Sequence, residues 1–214
     1  MFDESSSHPR RRFLGRAAAS IAALAAGFPS IAHAGGVGDS DESEHDAWMK
    51  PLKGKHRQFF HAVQAQDVPM LMASNFLNAY SEAFKSKQGE ANAVIGMHGG
   101  ALSIGFNDGA WARYSLGKVS SVTDPATKEP AVRNIFATGG DLSVEAMQKR
   151  GVVFLLCNTA LRLRSRGIAA ERGETHDAVY SDLKASVLPG VILVPALVVT
   201  INRAQEAGFT YIRA

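Results

Sequence analysis

Cysteine occurs once in this chain, at position 157, and it is the one side chain capable of thiolate chemistry. It ends the run Val152-Val153-Phe154-Leu155-Leu156 and is followed by Asn158, Thr159, Ala160 and Leu161. A thiolate held there can act as a nucleophile or carry a sulfur atom. Sealed in apolar surroundings, the same residue is an inert core filler. A lone cysteine excludes an intramolecular disulfide, a C-x-x-C redox pair and a cysteine zinc cluster. Arg162 follows by little more than one helical turn, near enough to help hold an anion; a solvated helix face is the plainer reading of Arg162, Arg164 and Arg166. His98-Gly99-Gly100 is a second chemistry-bearing group. His98 is placed to stabilise a thiolate or donate to a sulfur ligand, or is a structural histidine. The two glycines permit close approach of a ligand or an unusual turn. His45, His56 and His61 match no metal-ligand spacing and read as solvated side chains, so no metal or cofactor is expected. The sequence has no G-x-S-x-G, no G-x-G-x-x-G and no Walker lysine, which weighs against a serine hydrolase and against phosphate binding.

These residues need a scaffold that brings loop ends together. The unbroken apolar runs 93–97, 152–157 and 191–194 read as strands buried on both faces, which is the habit of a parallel sheet. Gln58 to Val63 and Phe209 to Ile212 read as further, shorter strands. Between them, Asp67 and Pro69 open a helix whose apolar face is Met70, Ala73, Leu77, Tyr80 and Phe84. Residues 106–117 predict a short helix, 118–138 a loop, and 141–151 a well-capped helix. Asn158 and Thr159 are suited to cap a helix that ends at Gly167-Ile168, and Pro195 begins one that runs to Ala207. About five strands alternating with about four helices predict right-handed crossovers and a single three-layer α/β/α domain with a mostly parallel sheet, a flavodoxin-like arrangement. Cys157 and His98 then share the carboxyl edge of the sheet, where ligands of open α/β folds bind and where the start of a helix favours negative charge.

The first 34 residues read as an address rather than as fold. Arg10-Arg11-Arg12-Phe13-Leu14 has the twin-arginine pattern, an alanine-rich apolar run follows, and Ala32-His33-Ala34 is an A-x-A cleavage site. The apolar run is shorter than the roughly 20 residues of a membrane-spanning helix, as is the stretch 187–201, which also carries two prolines. Export to the periplasm with cleavage after Ala34 is therefore expected. Of the 23 basic and 20 acidic residues, four arginines and two acids lie in 1–34, so the remainder carries a net charge of +1. That balance gives no footing for a nucleic-acid partner. Residues 35–55, rich in Gly, Ser, Asp and Glu at first, read as a flexible arm before a domain over 56–214.

Three stretches resemble a known family. Gly151 to Leu161 is similar to the cysteine-bearing strand and helix of the DsrE/DsrF-like sulfur-relay proteins. Val94 to Leu102 looks like the histidine-glycine turn of exported members, and Leu188 to Ile212 like the family's last strand, helix and strand. The likeness runs over about 56–214. It implies a compact α/β/α fold, assembly into homo-oligomers, a sulfur donor or acceptor as partner, and a cysteine that carries sulfane sulfur as a persulfide. That role maps onto Cys157 alone. The stretch 105–140 has no counterpart in the family pattern; it is either a loop at the active edge or a subunit contact.

Two functions follow. In one, Cys157 is the catalytic nucleophile of a sulfur carrier or sulfurtransferase-type relay, with His98, Gly99, Gly100, Asn158, Thr159 and Arg162 as binding residues. In the other, the chain is a non-catalytic small-ligand-binding or oligomeric module with Cys157 merely buried. Exposure of the sulfur separates them: an open thiol in a pocket favours relay, a sealed one favours binding or structure.

Overall fold

The short apolar runs of the sequence form five parallel strands: β1 (His56–Ala62), β2 (Ala91–Met97), β3 (Val153–Cys157), β4 (Val191–Val194) and β5 (Thr210–Arg213). The computed structural model describes residues 44–214, all within one compact unit; the expected signal at 1–34 and residues 35–43 of the expected arm lie outside the described residues. The strand order is β4-β3-β2-β1-β5, with every pairing parallel. Phe154, Leu155 and Leu156 of β3 are fully buried, which is why that run shows no polar alternation. Each such side chain contributes about 1.5–3 kcal/mol through the area it removes from water.

Helices cover both faces, giving the three-layer α/β arrangement. One face carries Phe60, Met97 and Leu156; α1 (Val68–Glu82) packs there through Phe76, whose ring lies 6.0 Å from that of Phe60. A 3-10 segment, Gly99–Gly105, lies on the same face, with Gly105 pressed against Leu156. The two helices between β3 and β4, α5 (Asn158–Arg172) and α6 (His176–Ala185), pack on each other, and α5 also packs on the 3-10 segment. The opposite face carries Phe59, Gly96 and Leu155. It is covered by α7 (Leu197–Glu206), whose Leu197 side chain occupies the space a Cβ at Gly96 would need.

Between β2 and β3 stand α2 (Asp108–Arg113), α3 (Leu116–Val119) and α4 (Val144–Lys149). The intervening 120–143 stretch is turns, yet it is firmly tied. Asn134, buried, donates to the carbonyls of Ile104 (2.9 Å) and Phe106 (2.7 Å) and accepts from the Phe136 amide (2.9 Å). The Trp111 indole donates to the Ser103 carbonyl at 2.8 Å. These bonds give buried backbone groups the partners that irregular chain would otherwise lack.

Several expectations are corrected. Residues 44–55 are not a free arm: Glu44–Met49 is a 3-10 turn whose buried Trp48 packs 6.4 Å from the Phe59 ring and 5.8 Å from that of Phe209, and Arg203 holds Asp46 at 2.9 Å. An apolar anchor inside a polar stretch outweighs the average composition. Asp67 precedes α1 but makes no side-chain cap. Residues 106–117 span two short helices rather than one, because Ser115 takes a left-handed conformation between them. The 141–151 helix is shorter, starting after Ser143, whose hydroxyl accepts from the Ala146 amide. Gly167 does not stop α5. The helix continues to Arg172, held by buried Ile168 and Ala169, and ends at Gly173 with φ +67°. A mid-helix glycine costs about 1 kcal/mol, less than the burial that follows it. Helix α6 was not expected; its buried side chains are Val179 and Leu183, too few to stand out in the sequence. Among the described residues there are seven α-helices rather than about four, and no helix is long and apolar enough to cross a membrane.

Candidate functional site

The chain leaves β3 and β4, which are neighbours, for opposite faces of the sheet: α5 departs to one side and α7 to the other. Such a divergence at the carboxyl edge opens a crevice in α/β folds. Here Cys157 sits in it. Its Sγ accepts from the Ala160 amide at 3.5 Å and from the Leu197 amide at 3.3 Å, so the first turns of both helices aim a donor at one sulfur. Cys157 itself therefore caps α5, in place of Asn158 and Thr159. Thr159 ties the same two segments together: its amide and its hydroxyl both donate to the Pro195 carbonyl, at 3.1 and 3.0 Å. The result is a sealed junction. Cys157 is only 3% exposed, and it is free rather than disulfide-bonded.

One helical turn away the same helix forms the wall of an open cleft of about 440 Å³. Ala160, Leu163, Arg164, Gly167, Ile168 and Glu171 recur at helical spacing along this wall, with Thr159 at its start. The opposite wall is His98, Gly99 and Leu102, joined by Val119 of α3. Arg164 of one wall donates from Nη2 to the carbonyl of Gly99 on the other at 3.1 Å. Burial of the guanidinium disfavours its charged form and lowers its pKa from the usual arginine value.

The expected site residues are thus divided. His98, Gly99 and Thr159 meet around the cleft. His98 does not hydrogen-bond the sulfur, although β2 and β3 are paired and place it at the same edge. Gly99 has φ +59°, and a Cβ on either Gly99 or Gly100 would crowd the Val63 carbonyl, at 3.1 and 3.3 Å. The two glycines therefore serve a tight turn against the β1–α1 loop; Gly100 does not line the cleft. Asn158 faces α6, where its carbonyl oxygen accepts from the Tyr180 hydroxyl at 2.7 Å. Arg162 lies over the Tyr180 ring, 4.5 Å from its centroid. Neither reaches the cleft.

Arg164 is the residue that sequence reasoning missed. Three arginines at alternate positions resemble one charged face on paper, but a spacing of two turns a helix by about 200°, so they point in different directions. The signal that was present is a lone cation in register with the apolar or small Ala160, Gly167 and Ile168, with Glu171 one position farther along the stripe. His61 was also misjudged. Instead of being solvated it is half-buried at the end of β1, with Nδ1 3.0 Å from the Tyr211 hydroxyl and Nε2 buried without a partner. Burial, then the neighbouring His98 and Arg213, lower its pKa. His56 stacks on Tyr80 at 4.2 Å.

Comparison with known proteins adds little beyond these observations. No family model matches the chain, and no curated protein matches it at a significant level. Among solved structures, a protein of unknown function, MTH1491 from Methanobacterium thermoautotrophicum, aligns with 74% of this chain and 99% of its own. The identity is 20% and the TM-score 0.39, a likeness from which no function follows.

Proposed function

We propose that the chain is a small-ligand-binding α/β module, DsrE-like in arrangement, whose ligand occupies the cleft along α5. One observation supports this reading above the others: His98, Gly99, Thr159 and Arg164 gather around an open cleft while Cys157 lies sealed behind Ala160. A cleft of this volume with an apolar lining and a few convergent polar groups is the usual form of a small-molecule site. The cargo would be met in the periplasm, after export by the twin-arginine machinery, and the working form would be a homo-oligomer. Methyl NMR with a set of neutral and charged fragments tests the reading. Shifts clustered at Leu102, Leu163 and Ile168 are expected; shifts confined elsewhere on the surface would overturn it.

Sulfur relay is the second reading, and the two amide donors on Sγ favour it. A sulfane donor R–S–SH would pass its terminal sulfur to the Cys157 thiolate, forming the Sγ–S bond and releasing R–S⁻, with no net oxidation. Both helix starts face the sulfur that carries the negative charge before the attack. The junction between β3 and β4 would have to open for a donor to reach it. Intact mass after exposure to polysulfide or a persulfide donor decides. A gain of one sulfur atom, reversed by reductant and absent in Cys157→Ser, establishes relay; no gain, with thiol labelling only after unfolding, leaves the binding module.

A further inference from the structure

Arg164 is the strangest cation of the described residues. Arg113, Arg172 and Arg203 each hold a carboxylate. Arg164 is half-buried in the cleft wall, and none of the described carboxylates pairs with it. Its guanidinium has five N–H donors, of which one is spent on the Gly99 carbonyl. A half-buried cation with donors open to a cleft and no counter-charge is a ready partner for an anion, and a planar oxyanion is what its fork matches best.

The remaining lining describes the rest of such a ligand. Leu163 is 70% exposed and Val119 39%, both on the cleft, with Leu102 and Ile168 behind them. Apolar surface left open beside a cation rewards an aliphatic body attached to the anion. The other ionisable groups on the cleft are His98 across from the guanidinium and Glu171 two turns along α5 from it. Glu171 repels excess negative charge, which favours one negative charge over two.

We propose that the cleft takes an amphipathic monoanion, with a carboxylate- or sulfonate-type head on Arg164 and a short aliphatic body against Leu102, Leu163 and Ile168. This rests on the cleft being the ligand site. It adds the charge and the shape of the ligand.

The experiment is methyl NMR titration of the full chain with octanoate, octanesulfonate, octanol and inorganic sulfate. Octanoate and octanesulfonate should shift the Leu102, Leu163 and Ile168 methyls and bind at least about tenfold more tightly than octanol, the size of effect expected of a charge-assisted pair. Sulfate, lacking the body, should bind weakly. Arg164→Gln should abolish the preference for the anion, and Arg164→Lys should retain part of it. Circular dichroism checks that each variant is folded. Leu163→Glu, an exposed change that leaves the core intact, should weaken octanoate more than octanol and serves if Arg164→Gln fails to fold. Equal binding of octanol and octanoate, or an octanoate affinity unchanged in Arg164→Gln, overturns the monoanion assignment and leaves the cleft as a ligand site. If no probe, anionic or neutral, moves the cleft methyls, both fall.

Discussion

Helix α5 borders two polar sites within its first two turns, and it treats them in opposite ways. At its start, the sulfur of Cys157 accepts from two backbone amides and is closed off from solvent. Farther along, the guanidinium of Arg164 has one acceptor and an open cleft in front of it. A buried acceptor that already holds two donors leaves little for a ligand to add, whereas a half-buried cation with donors facing a cavity is the kind of group a ligand completes. The contrast teaches that the residue with the most reactive chemistry need not be the one presented to solvent. Burial and partners decide, not residue type.

The largest expected effect probes the support beneath the sealed junction. Phe154 is fully buried in β3, three residues before the cysteine, and Phe154→Ala should cost about 3–5 kcal/mol in urea unfolding. Leu163→Ala, on the exposed wall of the cleft, should fall within about 0.5 kcal/mol of the parent protein. Similar losses at both positions would erase the distinction between the two regions.

A subtler test asks whether the sulfur is a cap. Cys157→Ser keeps an acceptor for the Ala160 and Leu197 amides, while Cys157→Ala leaves both without one. The alanine variant should be the less stable by about 1–3 kcal/mol, the cost of unpaired buried donors. If alanine is instead equal or better, the two amides are not relying on the sulfur. Smaller again is Thr159→Val, which removes the hydroxyl bond to Pro195 but spares the amide bond; about 0.5–1.5 kcal/mol is expected.

The last prediction concerns pH and lies outside both regions, at the end of β1. Burial, with His98 and Arg213 nearby, lowers the pKa of His61 in the folded chain. The unfolded state then binds more protons below the ordinary histidine range of about 6.5, so acid favours unfolding there. Stability should fall as pH drops from about 6.5 towards the lowered folded value, and should be flat with respect to this group above that range. His61→Phe should reduce the slope between pH 7 and 5 measured by denaturant unfolding. An unchanged slope would show that His61 is as solvated in the folded chain as in the unfolded one.

Much of the scaffold was legible in advance. Runs such as Ala93–Met97 and Val153–Cys157 are short and apolar throughout, as strands covered on both faces are, and the helical patterns between them supply the cover. The position of Cys157 at a strand-to-helix junction was legible for the same reason. The closing of that junction was not. It depends on Leu197 and Pro195, about forty residues farther on, and no local pattern announces that they return beside residue 157. Trp48 shows the converse failure: average composition made residues 44–55 look solvated, while one indole with Phe59 and Phe209 beneath it is enough to fasten them.

The sequence by itself thus determined the strands, their parallel arrangement and the edge at which chemistry-bearing residues collect, because hydrophobic periodicity and turn residues act over a few neighbours at a time. Only the tertiary structure decided which of those residues face solvent. That choice set Cys157 behind two helix starts and turned Arg164, rather than Arg162, into a cleft. The physical reason is that exposure is a property of what packs across from a residue, and for both side chains the opposing surface comes from a distant part of the chain: α7 for the sulfur, the Gly99–Gly105 turn for the guanidinium.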